Sequence, residues 1–188
     1  MESLLNFPAL TEPQALLLLA PHHGSPLFAV RQLLNTASLA PASLSKEEAE
    51  VLVKALLIFV RVLETPGPTV KLSIFHLGKR LATPGLSTGR SLLQDLASLC
   101  TSQPLELAVV AVRCLALLAS KASCPGLLSS LAMLTSLLES PDTSIMLQAV
   151  TVLHQVASTE ETCEAVTNSR EGATLLLPAL SDLLKRHT

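Results

Sequence analysis

The chain has 188 residues, enough for one domain with a substantial buried core. Hydrophobic residues make up 49% and charged residues only 15% of it, which excludes a predominantly disordered chain. The net charge of −2 gives no global attraction to nucleic acid or anionic lipid, and a chain without Trp or Tyr has few rings for stacking on bases or sugars.

Four segments along the chain share one spacing of apolar and small residues. The apolar and small residues fall at i, i+4, i+7 and i+8, on one face of a helix. This spacing occurs in residues 29–38 (AVRQLLNTAS), 111–120 (AVRCLALLAS) and 149–158 (AVTVLHQVAS). The first two copies lie 82 residues apart, and residues 70–78 supply an intermediate copy. The sequence therefore predicts four small-residue helices at intervals of 41, 41 and 38 residues.

A helix with a leucine stripe is predicted in each unit, at residues 52–59, 93–100, 131–138 and 177–184. A two-helix unit cannot cover its own apolar face, so neighbouring units must stack. No segment alternates as a strand does between hairpin turns. The pattern predicts an all-α fold, a right-handed α-solenoid of about four to four and a half units.

The predicted units are a half unit at 1–20 and full units at 24–64, 66–100, 104–139 and 141–187. We expect them to form a single domain that is part of a longer solenoid or a short isoform.

Capping signals support the helix boundaries. Ser45 and Glu48 have the spacing of a capping box. Ser25, Thr65 and Ser140 each precede a proline, which predicts a capping hydroxyl at the start of a helix.

Residues 140–184 resemble one armadillo repeat. In that family a second helix of pattern A-V-x-x-L-x-x-L-A precedes a groove-lining third helix of pattern L-P-x-L-x-x-L-L; here residues 159–168 and the turn at 170–172 form the connection. The other units resemble the related HEAT repeat. The resemblance implies a non-catalytic scaffold for a protein partner, although the Asn that armadillo transport receptors use to clamp extended peptides has no evident counterpart.

The Leu- and Ser-rich, aromatic-poor composition is similar to that of armadillo-like proteins of meiotic double-strand-break formation, which implies a meiotic or DNA-repair assembly.

The exposed stripe of the leucine-stripe helices is the candidate groove for a helix or extended peptide of that partner. Leu57 and Met133 are its predicted apolar contacts, and a merely solvated face is the alternative interpretation. The predicted groove residues are Glu50, Lys54, Leu57, Arg61, Asp95, Ser98, Met133, Ser136, Asp182 and Lys185.

Charge is segregated along the chain. Residues 54–121 contain eight basic and three acidic residues, whereas residues 139–171 contain six acidic and one basic. This polarity predicts steering of a partner or end-to-end pairing with a second copy. The alternative function is a nucleic-acid-associated module that uses the basic residues 54–121.

No motif for catalysis, a cofactor or a metal emerges. The four cysteines contain no CxxC pair, which favours small buried hydrophobic residues in a reducing compartment. We expect His22 and His23 in a solvated turn, and His76 and His154 as structural residues of packed helices. Residues 85–91 are similar to a phosphate loop but have Arg in place of Lys and follow no strand.

Patterns typical of secreted or membrane-spanning proteins are not found in the sequence. The N-terminus lacks the positively charged region of a signal peptide, and Lys54, Arg61 and Arg113 interrupt the most apolar stretches, which excludes membrane spans there. We therefore expect an intracellular protein of the nucleus, the cytoplasm or both.

Overall fold

The structure is a computed structural model that describes residues 9–20, 44–81, 91–101, 104–121, 127, 130–158 and 160–187. Within these ranges all regular elements are helical and no strand occurs, which confirms the all-α prediction. The helices are α1 (Glu12–Leu19), α2 (Lys46–Glu64), α3 (Pro68–Leu81), α4 (Leu92–Leu99), α5 (Leu105–Lys121), α6 (Leu131–Ser136), α7 (Thr143–Val156), α8 (Glu160–Asn168) and α9 (Leu177–His187). A 3₁₀ turn (Leu137–Glu139) continues α6, and a π-helical segment (Gly172–Leu176) precedes α9.

The capping box at the start of α2 is confirmed. The backbone N–H of Glu48 donates to Ser45 Oγ at 3.2 Å, and the backbone N–H of Ser45 donates to the Glu48 carboxylate at 2.9 Å. These bonds satisfy two N–H groups that have no partner inside the helix. The bonds from Ser45, the backbone N–H first, lower the pKa of Glu48.

The predicted Thr65 and Ser140 caps are wrong. The Thr65 hydroxyl donates to the carbonyl of Arg61 at 2.9 Å in the last turn of α2, and α3 begins only at Pro68. The cap of α7 is Asp142, whose carboxylate accepts from two backbone N–H groups at 2.8 and 3.2 Å. A carboxylate is a strong acceptor at a helix N-terminus, so it takes the position predicted for the hydroxyl. Ser25 lies outside the described residues.

Helix α5 is the centre of the packing. It lies between α2 and α7, α4 packs against it, and α3 packs on α1 with fewer contacts to α5. Its inward residues Leu107, Ala111, Leu115 and Leu118 are completely buried. Three of the predicted small-residue helices contribute buried side chains to the core, at residues 70–78, 111–120 and 149–158. The fourth, at residues 29–38, lies outside the described residues.

Helix α2 runs parallel to α5 along its length. Cys114 Sγ donates to the carbonyl of Leu56 at 3.5 Å, and Lys121 Nζ donates to the carbonyl of Leu63. Both bonds join residues 58 positions apart in the chain, so the two helices advance together in the same direction. The repeat interval of 41 residues did not predict this pairing of a leucine-stripe helix with a small-residue helix.

The C-terminal part of the chain departs from the predicted pattern in two ways. Residues predicted as a connection form helix α8, which packs against the π-helical segment. Leu177 and Leu184, predicted in the apolar stripe of α9, are 52% and 67% exposed, whereas Leu176 is buried. Leu180 and Leu183 of the predicted stripe are half-buried, so only part of that stripe faces the core.

Gly172 explains why the turn into the π-helical segment is tight. A Cβ on Gly172 would lie 1.8 Å from the carbonyl oxygen of Val166, which is backbone and cannot move aside cheaply. The Gly172 N–H donates to Ser169 Oγ at 2.8 Å. Only glycine allows this approach of two backbone segments.

Substitution of Ala149 tests the close packing of α7. Its side chain is completely buried, so Ala149→Leu should overpack the interface and lower the free energy of unfolding by about 1–3 kcal/mol. Urea unfolding followed by circular dichroism measures the change. Ala132→Leu on an exposed position of α6 is the control and should be nearly silent. Equal stability of the two variants would show that Ala149 is not in the packed face.

Gly67 tests the junction of α1 with the turn between α2 and α3. Its φ of 145° disfavours any side chain, and a Cβ there would lie 2.6 Å from Glu12 Oε1. We expect Gly67→Ala to destabilise the fold by about 1–3 kcal/mol. The same substitution in a Glu12→Ala background should cost less, because only the backbone strain remains. Thermal melts of the parent, the two single variants and the double variant measure the backbone strain and the contact separately. Equal destabilisation by Gly67→Ala in the two backgrounds would rule out the contact with Glu12.

Candidate functional site

The exposed stripe of α2 forms the first part of the candidate site. Glu50 and Lys54 are exposed as predicted, whereas Arg61 is half-buried and Leu57 is only 7% exposed. Leu57 lies seven residues before Glu64, which pairs with Arg113 of α5. Residues seven apart share a helix face, so Leu57 lies at the edge of the α2–α5 interface and is unavailable to a partner.

A groove lies between the first turns of α2 and α5. Its volume is about 230 Å³, and its lining residues are Ala49, Glu50, Val53, Lys54, Pro104 and Glu106. Buried Ala49 and Val53 give it an apolar floor, whereas its rim carries charges of both signs. Near the groove in sequence, Val51 and Leu105 are 49% and 46% exposed. The groove therefore combines apolar surface with charged groups that could orient a peptide.

Ion pairs join the C-terminal end of α2 to the middle of α5. The Glu64 carboxylate pairs with Arg61 of its own helix at 3.2 Å and with Arg113 of α5. Lys121 closes the interface by donating to the carbonyl of Leu63. Burial, and then the nearby ammonium of Lys71, lowers the pKa of Lys121. These contacts join α2 to α5 while Glu50 and Lys54 stay exposed.

The predicted residues of α4 lie in the interior instead. Asp95 is only 6% exposed, which makes its assignment to an exposed groove wrong. The half-buried hydroxyl of Ser98 donates to the Asp95 carbonyl at 2.7 Å. Because α4 packs against both α5 and α6, its polar stripe faces protein instead of solvent.

The predicted residues of α6 and α9 form a separate group. Met133 is half-buried against the core, and exposed Ser136 donates to its carbonyl at 2.7 Å. Asp182 and Lys185 are exposed and pair with each other at 3.2 Å. A cleft of about 20 Å³ beside Asp182 also includes Glu139. None of these residues lines the groove between α2 and α5, so the predicted site is divided between two sides of the packing.

Three residues of the observed face were missed by the sequence reasoning. Glu106 and Arg113 lie seven residues apart on the outer side of α5, and Leu147 is 60% exposed on α7. The signal was present, because two charges at heptad spacing interrupt an apolar helix. They were passed over because the groove was assigned to the leucine-stripe helices alone.

The predicted histidines and cysteines have mixed outcomes. His76 and His154 lie within the packed helices α3 and α7 as predicted, but both side chains are exposed; the His76 ring meets Phe75 edge-on, with centroids 5.9 Å apart. Cys100 and Cys114 are buried as predicted, whereas Cys163 is exposed. His22, His23 and Cys124 lie outside the described residues.

Metal-ligating residues do not cluster in the part of the chain that the structure describes. Groups of three or more His, Cys, Asp or Glu that could hold a metal ion do not occur there. Of the segment similar to a phosphate loop, residues 85–90 lie outside the described residues, and Ser91 caps α4 through Gln94. Among the described helices, none has both the length and the apolarity to cross a membrane.

Comparison of the chain with protein-family models, with curated proteins and with solved structures finds no match.

The cysteines provide a test of burial. Burial raises the pKa of Cys100 to about 12 and also raises the pKa of Cys114, so both thiols stay protonated at neutral pH. We expect iodoacetamide at about pH 8 to alkylate Cys163 in the native protein at least about a hundredfold faster than either buried thiol. Peptide mass mapping measures the rates, and denatured protein is the control in which all sites react. Rapid native labelling of Cys114 would contradict its place between α2 and α5.

Proposed function

We propose that the chain is a non-catalytic α-solenoid scaffold that binds a helix or extended peptide of a protein partner. The observation that carries the proposal is the parallel pairing of α2 with α5, in which two hydrogen bonds each join residues 58 positions apart. Two intervening helices separate these parallel neighbours, and parallel neighbours of this kind are typical of stacked helical units. Stacked units expose one continuous face, which solenoid proteins use for binding.

The face formed by α2, α5 and α7 is the proposed binding surface. Its groove offers the apolar floor of Ala49 and Val53, and Glu50, Lys54 and Glu106 could pair with a partner of either charge. Exposed Val51, Leu105 and Leu147 extend the apolar area on the same three helices. A partner segment with a short apolar anchor flanked by polar residues fits such a surface better than a partner with a flat charged patch does.

Substitution of Val51 tests this surface. A photo-crosslinking residue at position 50 of the full chain would first identify proteins that contact the groove. The affinity of each purified partner would then be measured by biolayer interferometry. We expect Val51→Asp to weaken binding by about tenfold or more, because it places a carboxylate in an apolar contact.

Leu177→Asp is the matched control, since Leu177 and Val51 are similarly exposed at 52% and 49% but lie on different helices. Its binding should remain unchanged. Equal losses in the two variants would contradict the groove. The alternative function is tested on the parent chain with a DNA duplex and an RNA strand: a steep fall of nucleic-acid affinity with salt would favour the nucleic-acid module over the scaffold.

A further inference from the structure

Three cations of α2 and α5 lie around the C-terminal end of α2, and Lys71 of α3 lies near one of them. We call Arg61, Lys71, Arg113 and Lys121 the cationic cluster. Glu64 binds Arg61 at 3.2 Å and also Arg113, while Lys121 donates to the carbonyl of Leu63. Lys71 of α3 lies close enough to Lys121 to lower its pKa by repulsion, after the larger effect of burial. Basic residues that are 60 positions apart in the chain therefore share one surface.

The fold alone does not account for all of this positive charge. Cations near the C-terminal ends of α2 and α5 are favourable, because unpaired carbonyl groups make those ends negative. Lys71, however, lies in the first turn of α3, where the helix dipole disfavours a cation. Lys71 is exposed, and Arg61 and Arg113 share the single carboxylate of Glu64, so the cluster keeps a net positive charge that an anionic partner would neutralise.

Helix α8 presents the complementary charge. Glu160 and Glu164 are exposed and lie four residues apart, so they share one face of the helix. Glu171 is exposed just after the same helix. We call these three residues the acidic face. In one chain α8 packs against the π-helical segment, whereas the cationic cluster lies on α2, α3 and α5.

We propose that the cationic cluster of one copy binds the acidic face of a second copy. The contact is heterologous, because the two surfaces differ, and it can therefore repeat from copy to copy. Exposed ion pairs contribute little individually, so we expect weak association that weakens further with salt. The proposal goes beyond the scaffold function and does not depend on the groove.

Sedimentation velocity of the full chain at increasing concentration tests the association. We expect oligomers at about 50 mM NaCl that dissociate at about 500 mM. Lys71→Glu and the double variant Glu160→Lys/Glu164→Lys should each weaken the association by about tenfold or more. Lys46→Glu is the matched control, because Lys46 is also an exposed lysine in the first turn of a helix, and it should associate like the parent.

Mixing the two altered proteins gives the sharpest result. The Lys71 variant retains its acidic face and the Glu160/Glu164 variant retains its cationic cluster, so the mixture should form heterodimers that cannot extend further. Lys71→Gln is measured as well, because it removes the positive charge without adding a carboxylate at the start of α3. A parent chain that stays monomeric at about 50 mM NaCl, equal weakening by Lys46→Glu, or no heterodimer in the mixture would overturn the proposal. Salt-sensitive binding of a DNA duplex by a monomeric parent chain would instead assign the cluster to nucleic acid.

Discussion

The burial of α5 between α2 and α7 is the constraint on which the rest of the structure depends. A helix with fully buried leucines on its inward face needs neighbours along its whole length, because each leucine left in water would cost about 1.5–3 kcal/mol. Alanines at positions 111 and 149 let the backbones of α5 and α7 approach closely. The outer stripe of α5 is not covered by other helices, so the side chains on that stripe are the ones that a partner could reach.

The parallel pairing of α2 with α5 gives this surface two chemically different ends. At the N-terminal ends the helices leave a groove with apolar residues below and charges of both signs at its rim. At the C-terminal end of α2 the same helices are joined by ion pairs in which two arginines share one carboxylate. The two surfaces lie at opposite ends of the 19-residue helix α2.

Much of the secondary structure could be predicted from the sequence, because the apolar period identifies each helix and its buried face locally. The buried copy at Val70, Ile74 and Leu77 and the capping box at Ser45 are examples. Periodicity does not identify which neighbour covers a face. For this reason the pairing of α2 with α5 was missed, and residues assigned to a single groove lie on two sides of the packing. Asp95 shows the effect most directly, since its position on the polar stripe was correct but a third helix covers that stripe.

The π-helical segment has a consequence for the direction of the side chains that follow it. A π turn holds one more residue per hydrogen-bonded loop than an α turn does. Each additional residue rotates everything that follows by about 100° around the helix axis. Loss of one residue from this segment would therefore turn Leu180 of α9 away from the core against which it packs.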